Sequence, residues 1–124
     1  MGKPHHNLEV WKKALDFVNR IYQVTARFPD EEKFGLTSQM RRSAISIPSN
    51  IAEGAGRSTP KEFVNFLHIS QGSIAELETQ LLIAKNLGFA EDGMIDKVIA
   101  KLDEISKMII GLQKSLRNKT KINK

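Results

Sequence analysis

A row of polar side chains, Arg42, Ser46, Ser49, Asn50 and Glu53, lies at helical spacing opposite an apolar edge of Met40, Ala44, Ile47 and Ile51. A row of this kind on a helix admits three readings: a solvated face, a polar network between helices or subunits, or a ligand site. Serine and asparagine are mediocre helix formers, and a solvated face is more readily built from lysine and glutamate, so the composition favours the network. Glu53 and Arg57 are four residues apart and pair across one turn if the helix extends that far. Further along, Gly72 sits beside Ser73, Ala75 and Thr79, where its cost in a helix calls for a compensating close approach within the bundle or across a subunit boundary. Arg42, Ser46, Asn50, Glu53, Gly72 and Ser73 are therefore the expected network or interface residues.

Catalytic arrangements are missing from the sequence. There is no cysteine, which excludes disulfides, thiolate metal sites and cysteine nucleophiles and points to a reducing, cytoplasmic setting. Imidazole is confined to His5, His6 and His68. Glu76 and Glu78 are two apart and leave a helix on different faces, so they cannot share a metal or divide acid and base roles. Ser46 has no histidine near it in sequence, and His68, two residues before Ser70, leaves a helix on another face. The run Glu53-Gly54-Ala55-Gly56-Arg57 follows a helix rather than a strand and does not make a phosphate-binding loop. The expectation is a protein that binds other macromolecules, without enzymatic activity and without a cofactor.

The charge says where such binding would occur. The chain carries a net charge of +5. Lys114, Arg117, Lys119, Lys121 and Lys124 lie in the last twelve residues, which contain no acid, and the remainder holds basic and acidic residues in equal number. A basic tail of this kind either contacts phosphates or serves solubility.

These residues are positioned by four predicted helices. The first, from about Leu8 to Phe28, has two apolar stripes: Trp11, Leu15, Val18, Tyr22 and Thr25, and beside it Val10, Ala14, Phe17, Ile21, Val24 and Phe28. Two stripes are more than one bundle needs, so the surplus, Val10, Phe17 and Val24 included, is expected to meet a neighbouring subunit. Asn7 is the expected cap, and Phe28-Pro29 ends the helix. The second helix spans about Leu36 to Ala55, with a kink or break expected at Pro48 and left-handed termination at Gly54 or Gly56. The third begins at Thr59-Pro60-Lys61-Glu62, a capping box with a first-turn proline, and Gly88 closes it. The fourth starts near Asp92 and carries Ile95, Val98, Leu102, Ile105, Ile109, Leu112 and Leu116. The predicted fold is all-α: an antiparallel up-and-down four-helix bundle over 8–116, with a flexible N-terminus at 1–7 and a disordered basic tail at 117–124.

The run from Gly35 to Ala44, Gly-Leu-Thr-Ser-Gln-Met-Arg-Arg-Ser-Ala, continued by Ser46-Ile47-Pro48-Ser49-Asn50-Ile51-Ala52-Glu53-Gly54, resembles the signature of the 23S ribosomal RNA intervening-sequence protein family. The resemblance continues at Glu62-Phe63, Phe66-Leu67, Gly72-Ser73 and Glu76-Leu77-Glu78, and extends from about Leu8 to Leu112. It implies a small bacterial four-helix bundle. A related branch, the accessory variability proteins of diversity-generating retroelements, is similar in fold, forms pentameric barrels and binds nucleic acid and a reverse transcriptase. By that resemblance the chain is expected to be a homopentamer that binds RNA or DNA, with a reverse transcriptase as a further partner by analogy. The residues expected to contact nucleic acid are Arg41, Arg42 and Arg57 on the bundle, with Lys114, Arg117, Lys119, Lys121 and Lys124 in the tail. The alternative is a protein-interaction scaffold that does not bind nucleic acid.

Overall fold

A computed structural model describes residues 2–122, with side chains described through Lys119. The chain forms four helices, α1 (Glu9–Thr25), α2 (Leu36–Ala55), α3 (Pro60–Asn86) and α4 (Asp92–Ile122), with short 3-10 turns at Pro4–Asn7 and Asp30–Glu32. No strand occurs among the described residues, and short connectors force each helix to run against the one before it. α2 packs on α1 and α3, α3 packs on α4, and α1 and α4 close the bundle most loosely. Ile21, Met40, Ile47, Ile51, Leu67, Leu77, Leu81, Ile95, Leu102 and Ile109 form the innermost, solvent-free layer. Far-ultraviolet circular dichroism is expected to give a predominantly helical spectrum, and one dominated by sheet would contradict this architecture.

Local signals set the α3 boundaries. The Thr59 hydroxyl accepts from the Glu62 amide at 3.2 Å, and Pro60 opens the helix where its missing N–H goes unused. At the other end Gly88 takes φ +72, the Phe89 amide donates to Ala84 O at 3.0 Å and the Gly88 amide to Lys85 O at 3.1 Å. This is a Schellman stop, and it turns Phe89 back onto Phe28, with ring centroids 5.6 Å apart.

Several expectations are corrected. Asn7 does not cap α1; it closes the 3-10 turn, and Leu8 occupies the cap position without a side-chain bond. That turn brings the His5 and His6 rings to 4.7 and 5.6 Å from Trp11, so part of 1–7 is docked on α1. α1 stops at Thr25, whose hydroxyl donates back to Ile21 O at 2.7 Å. α2 is not divided at Pro48. Around it, Ser70 of α3 donates to Ile47 O at 3.0 Å and Asn50 Nδ2 to Ser46 O at 2.9 Å, which adds hydrogen bonds where proline removes one. Gly54 and Gly56 keep negative φ, since the only positive φ among the described residues is at Gly88. Gly54 is instead a point of close helix approach: a Cβ there would lie 2.8 Å from Phe63 Cδ1 and Phe66 Cβ. At Gly72 a Cβ would meet nothing within 4 Å, so no helix of the bundle approaches it. Val10, Phe17 and Val24 are buried in the core, and Leu15 and Tyr22 of the other stripe are the ones left 40% exposed. The apolar spacing ends at Leu116, yet α4 continues to Ile122. Residues 117–122 contain no glycine or proline, and basic side chains suit the negative end of a helix dipole. Lys124 and the side chain of Lys121 lie outside the described residues.

Candidate nucleic-acid interface

The antiparallel topology sorts the expected basic residues between two ends. Arg41 and Arg42 stand in the first turns of α2, beside the end of α1. Arg57 follows the last turn of α2, about 24 Å away at 1.5 Å per residue. It therefore lies at the end where α3 begins, with Lys61, while Arg117 stands beside His68 in the first half of α3 and Lys114 one turn further in, next to Gln113, which contacts Gln71 near the middle of α3. The contact between Arg117 Nη2 and His68 Nε2, 3.3 Å, shows the end of α4 lying beside the first half of α3. Guanidinium and the Gln113 Nε2 amide, 3.3 Å from His68 Nδ1, both only donate, and a neutral imidazole accepts at one nitrogen, so His68 takes one of the two at a time.

The carboxylates at this end already have partners. Glu9 meets Lys12 at 3.4 Å, Glu53 meets Arg57 at 2.7 Å, and Glu62 accepts from Thr59 Oγ1 at 3.2 Å. Lys61, Lys114, Arg117 and Lys119 are exposed with no ion pair to these acids. Arg57 also lies over the Phe66 ring, 4.7 Å from its centroid, which orients the guanidinium plane. At the opposite end Lys85 is bonded to Asp96 at 2.9 Å, and that hydrogen bond, with the charge of Asp96, holds Lys85 above the ordinary lysine range.

The two arginines of α2 differ. Arg41 is built into the fold: Nε donates to Thr25 Oγ1 at 2.9 Å, Nη2 to Tyr22 O at 3.4 Å, and the guanidinium lies 4.3 Å from the Tyr22 ring centroid. Arg42 is exposed and, among the described residues, has no hydrogen-bond or ion-pair partner. Sequence reading missed the Arg41 clasp, which joins Tyr22 and Thr25 at the last turn of α1 to the first turns of α2 and has no local sequence signal.

The polar row of α2 divides in the same way. Ser46 and Asn50 join Ser73 of α3 in a helix-to-helix network, with Ser73 Oγ to Ser46 Oγ at 2.7 Å and Asn50 Nδ2 to Ser46 Oγ at 3.0 Å. One turn away Ser43 donates to Glu76 Oε2 at 3.3 Å. Arg42 borders this groove, Glu53 turns to Arg57, Ser49 lies on the α1 side, and Gly72 stays outside. The buried Gln80 Oε1 in the groove has no partner. Among the described residues no three of histidine, cysteine, aspartate and glutamate gather as a metal site would require. No helix there is long and apolar enough to cross a membrane.

No curated protein matches the chain. A solved structure from Bacteroides thetaiotaomicron VPI-5482, described as a protein of unknown function from the S23 ribosomal protein family, is similar to it. Identity is 26%, coverage is 85% of this chain and 98% of that one, and the TM-score is 0.76. The family model described as 23S rRNA-intervening sequence protein matches residues 6–111, which takes in all of α1 to α3 and most of α4. The chain belongs to the 23S rRNA-intervening sequence protein family.

Proposed function

We propose that this chain is a non-catalytic, self-associating protein that holds RNA at its basic end. The observation that carries this reading is that Arg57, Lys61, Arg117 and Lys119 share the half of the bundle where α3 begins and α4 ends, with Lys114 one turn further in, and that nearby carboxylates are already engaged. Lysine and arginine on helix termini meet phosphate oxygens without reading bases, which suits sequence-independent binding. The Glu53–Arg57 pair is exposed on both sides and holds the arginine weakly, so Arg57 exchanges its carboxylate for a phosphate at small cost. Self-association is supported by apolar side chains left uncovered, among them Phe34 at 90% and Ile69 at 51% exposure.

The test is binding of a labelled single-stranded RNA across a salt series. Log affinity is expected to fall linearly with log salt, with a slope of about −0.7 per neutralised phosphate. Arg57→Gln combined with Lys114→Gln is expected to weaken binding and flatten the slope, and Arg42→Gln at the other end to leave both unchanged. Binding that ignores salt, or none at low salt, would move the function to a protein scaffold working through the exposed apolar faces.

A further inference from the structure

Resting on the RNA reading above, we propose that His68 and Arg117 together form a phosphate seat that takes up a proton when RNA binds. The seat begins at a break in the apolar pattern of α4. Ile95, Val98, Leu102, Ile105 and Ile109 are buried, and four residues after Ile109 the buried position is held by Gln113, 3% exposed. A buried amide is costly unless it finds partners. This one reaches across to α3, where its Nε2 lies 3.3 Å from His68 Nδ1 and 3.4 Å from Gln71 Oε1. Arg117, one turn further along α4, brings Nη2 to 3.3 Å from His68 Nε2. Two donors thus address one imidazole, and a neutral ring accepts at one nitrogen only. The exposed guanidinium keeps its other N–H groups for a further acceptor, and among the described residues it has no ion pair.

The charges around His68 are of one sign. On α3 the residues one turn either side of it are Val64, Asn65, Gln71 and Gly72, none of them charged. On α4 the charged side chains from Gln113 to Lys119 are Lys114, Arg117 and Lys119, all cations. α2, the other helix packed on α3, ends toward this half in Glu53 and Arg57, which are joined to each other at 2.7 Å. Glu62, six residues before His68, is engaged by Thr59. A proton on His68 in the free chain therefore meets cations, and it turns both ring nitrogens into donors that face a guanidinium and an amide. A phosphate oxygen reverses this balance. It accepts from Arg117 and from the imidazolium at once, and its negative charge favours the protonated ring. Histidine exchanges its proton between about pH 5 and pH 8. The RNA-bound chain holds more protons than the free chain, so affinity is highest in mild acid and falls as pH rises through that range. A phosphodiester strand suits the seat better than an isolated anion, because Arg57, Lys61 and Lys119 in the same half of the bundle can hold further phosphates of that strand.

Binding of a labelled single-stranded RNA, measured at constant ionic strength, is expected to tighten roughly fivefold from pH 8 to pH 6. His68→Gln, at an exposed position, is expected to abolish this change with the helical spectrum retained. His5→Gln combined with His6→Gln is expected to keep it, which separates His68 from the other two histidines of the chain. Arg117→Gln is expected to weaken binding at both pH values. A flat pH profile in the unaltered chain, or a profile that survives His68→Gln, overturns the seat while RNA binding stands. If RNA binds at no pH even at low salt, the RNA reading falls and inorganic phosphate decides the seat. The ring signals of His68 in nuclear magnetic resonance, assigned by their loss in His68→Gln, are then expected to move as phosphate is added to the full chain. Movement keeps the seat as a site for phosphate, and signals that stay still overturn it as well.

Discussion

Gly54→Ala is expected to destabilise the protein by about 1–3 kcal/mol, the usual cost of inserting a methyl group into a filled interior. The new Cβ would sit 2.8 Å from both Phe63 Cδ1 and Phe66 Cβ, and 3.3 Å from Phe63 O. The Phe63 ring can swing aside. Phe66 Cβ is fixed to the α3 backbone, so the remaining relief is to move α2 away from α3, along the line where Ser70 and Ser73 bond across to Ile47 and Ser46. This cost outweighs the gain of about 1 kcal/mol that alanine brings to a helix in place of glycine. A fall in melting temperature on the order of 10 °C follows for a domain of this size. Gly72→Ala is the control of opposite sign, because its Cβ meets nothing within 4 Å and only the propensity gain remains. Denaturant unfolding of both variants at low protein concentration decides the matter. Equal stability changes at the two glycines would mean that the close approach at Gly54 does not shape the packing.

The contrast between these glycines shows what the sequence could and could not reveal. Both sit inside helical patterns, and local composition favours Gly72, with its small neighbours, as the crossing point. The crossing is at Gly54 because Phe63 and Phe66 come from another helix, and no local pattern carries that pairing. The same holds for α1. Its two stripes both read as apolar, though one carries Tyr22 and Thr25, and the choice of Val10, Phe17 and Val24 for the interior is made by where α2 and α4 stand. Helix identities, the Thr59 cap and the Gly88 stop were legible because a few adjacent residues determine each. Pro48 looked like a break because the count included the hydrogen bond it removes, and not those that Asn50 and Ser70 add from one turn and one helix away. The separation of the arginines was within reach of the sequence: helices alternating in direction place Arg57 at the same end as the last turns of α4 and away from Arg41 and Arg42. The clasp of Arg41 on Tyr22 and Thr25 required coordinates, since a free and a bound arginine look alike in a row of letters.

Removing Arg117 to Lys124 is expected to weaken RNA binding and flatten its salt dependence, with helicity and assembly size retained. The deletion leaves Leu116, 8% exposed and the last residue of the apolar spacing, so the interior is intact. It takes away the Arg117 contact with His68, which is exposed and contributes little. Four basic residues go with it, Arg117, Lys119, Lys121 and Lys124. If each neutralises one phosphate of a single strand, the slope of log affinity against log salt drops by about 3 per chain. Between 50 and 200 mM salt the full chain should then lose roughly 50-fold more affinity than the truncated one. In an assembly the difference grows, because several ends hold one RNA and each weak contact raises the local concentration of the next. The helix of α4 through Ile122 strengthens the expectation, since residues already ordered give up less entropy on binding than a disordered tail would. Unchanged affinity and slope after truncation would shift the contact to Arg57, Lys61 and Lys114. A loss of helical signal would instead show that the last turns of α4 support the bundle.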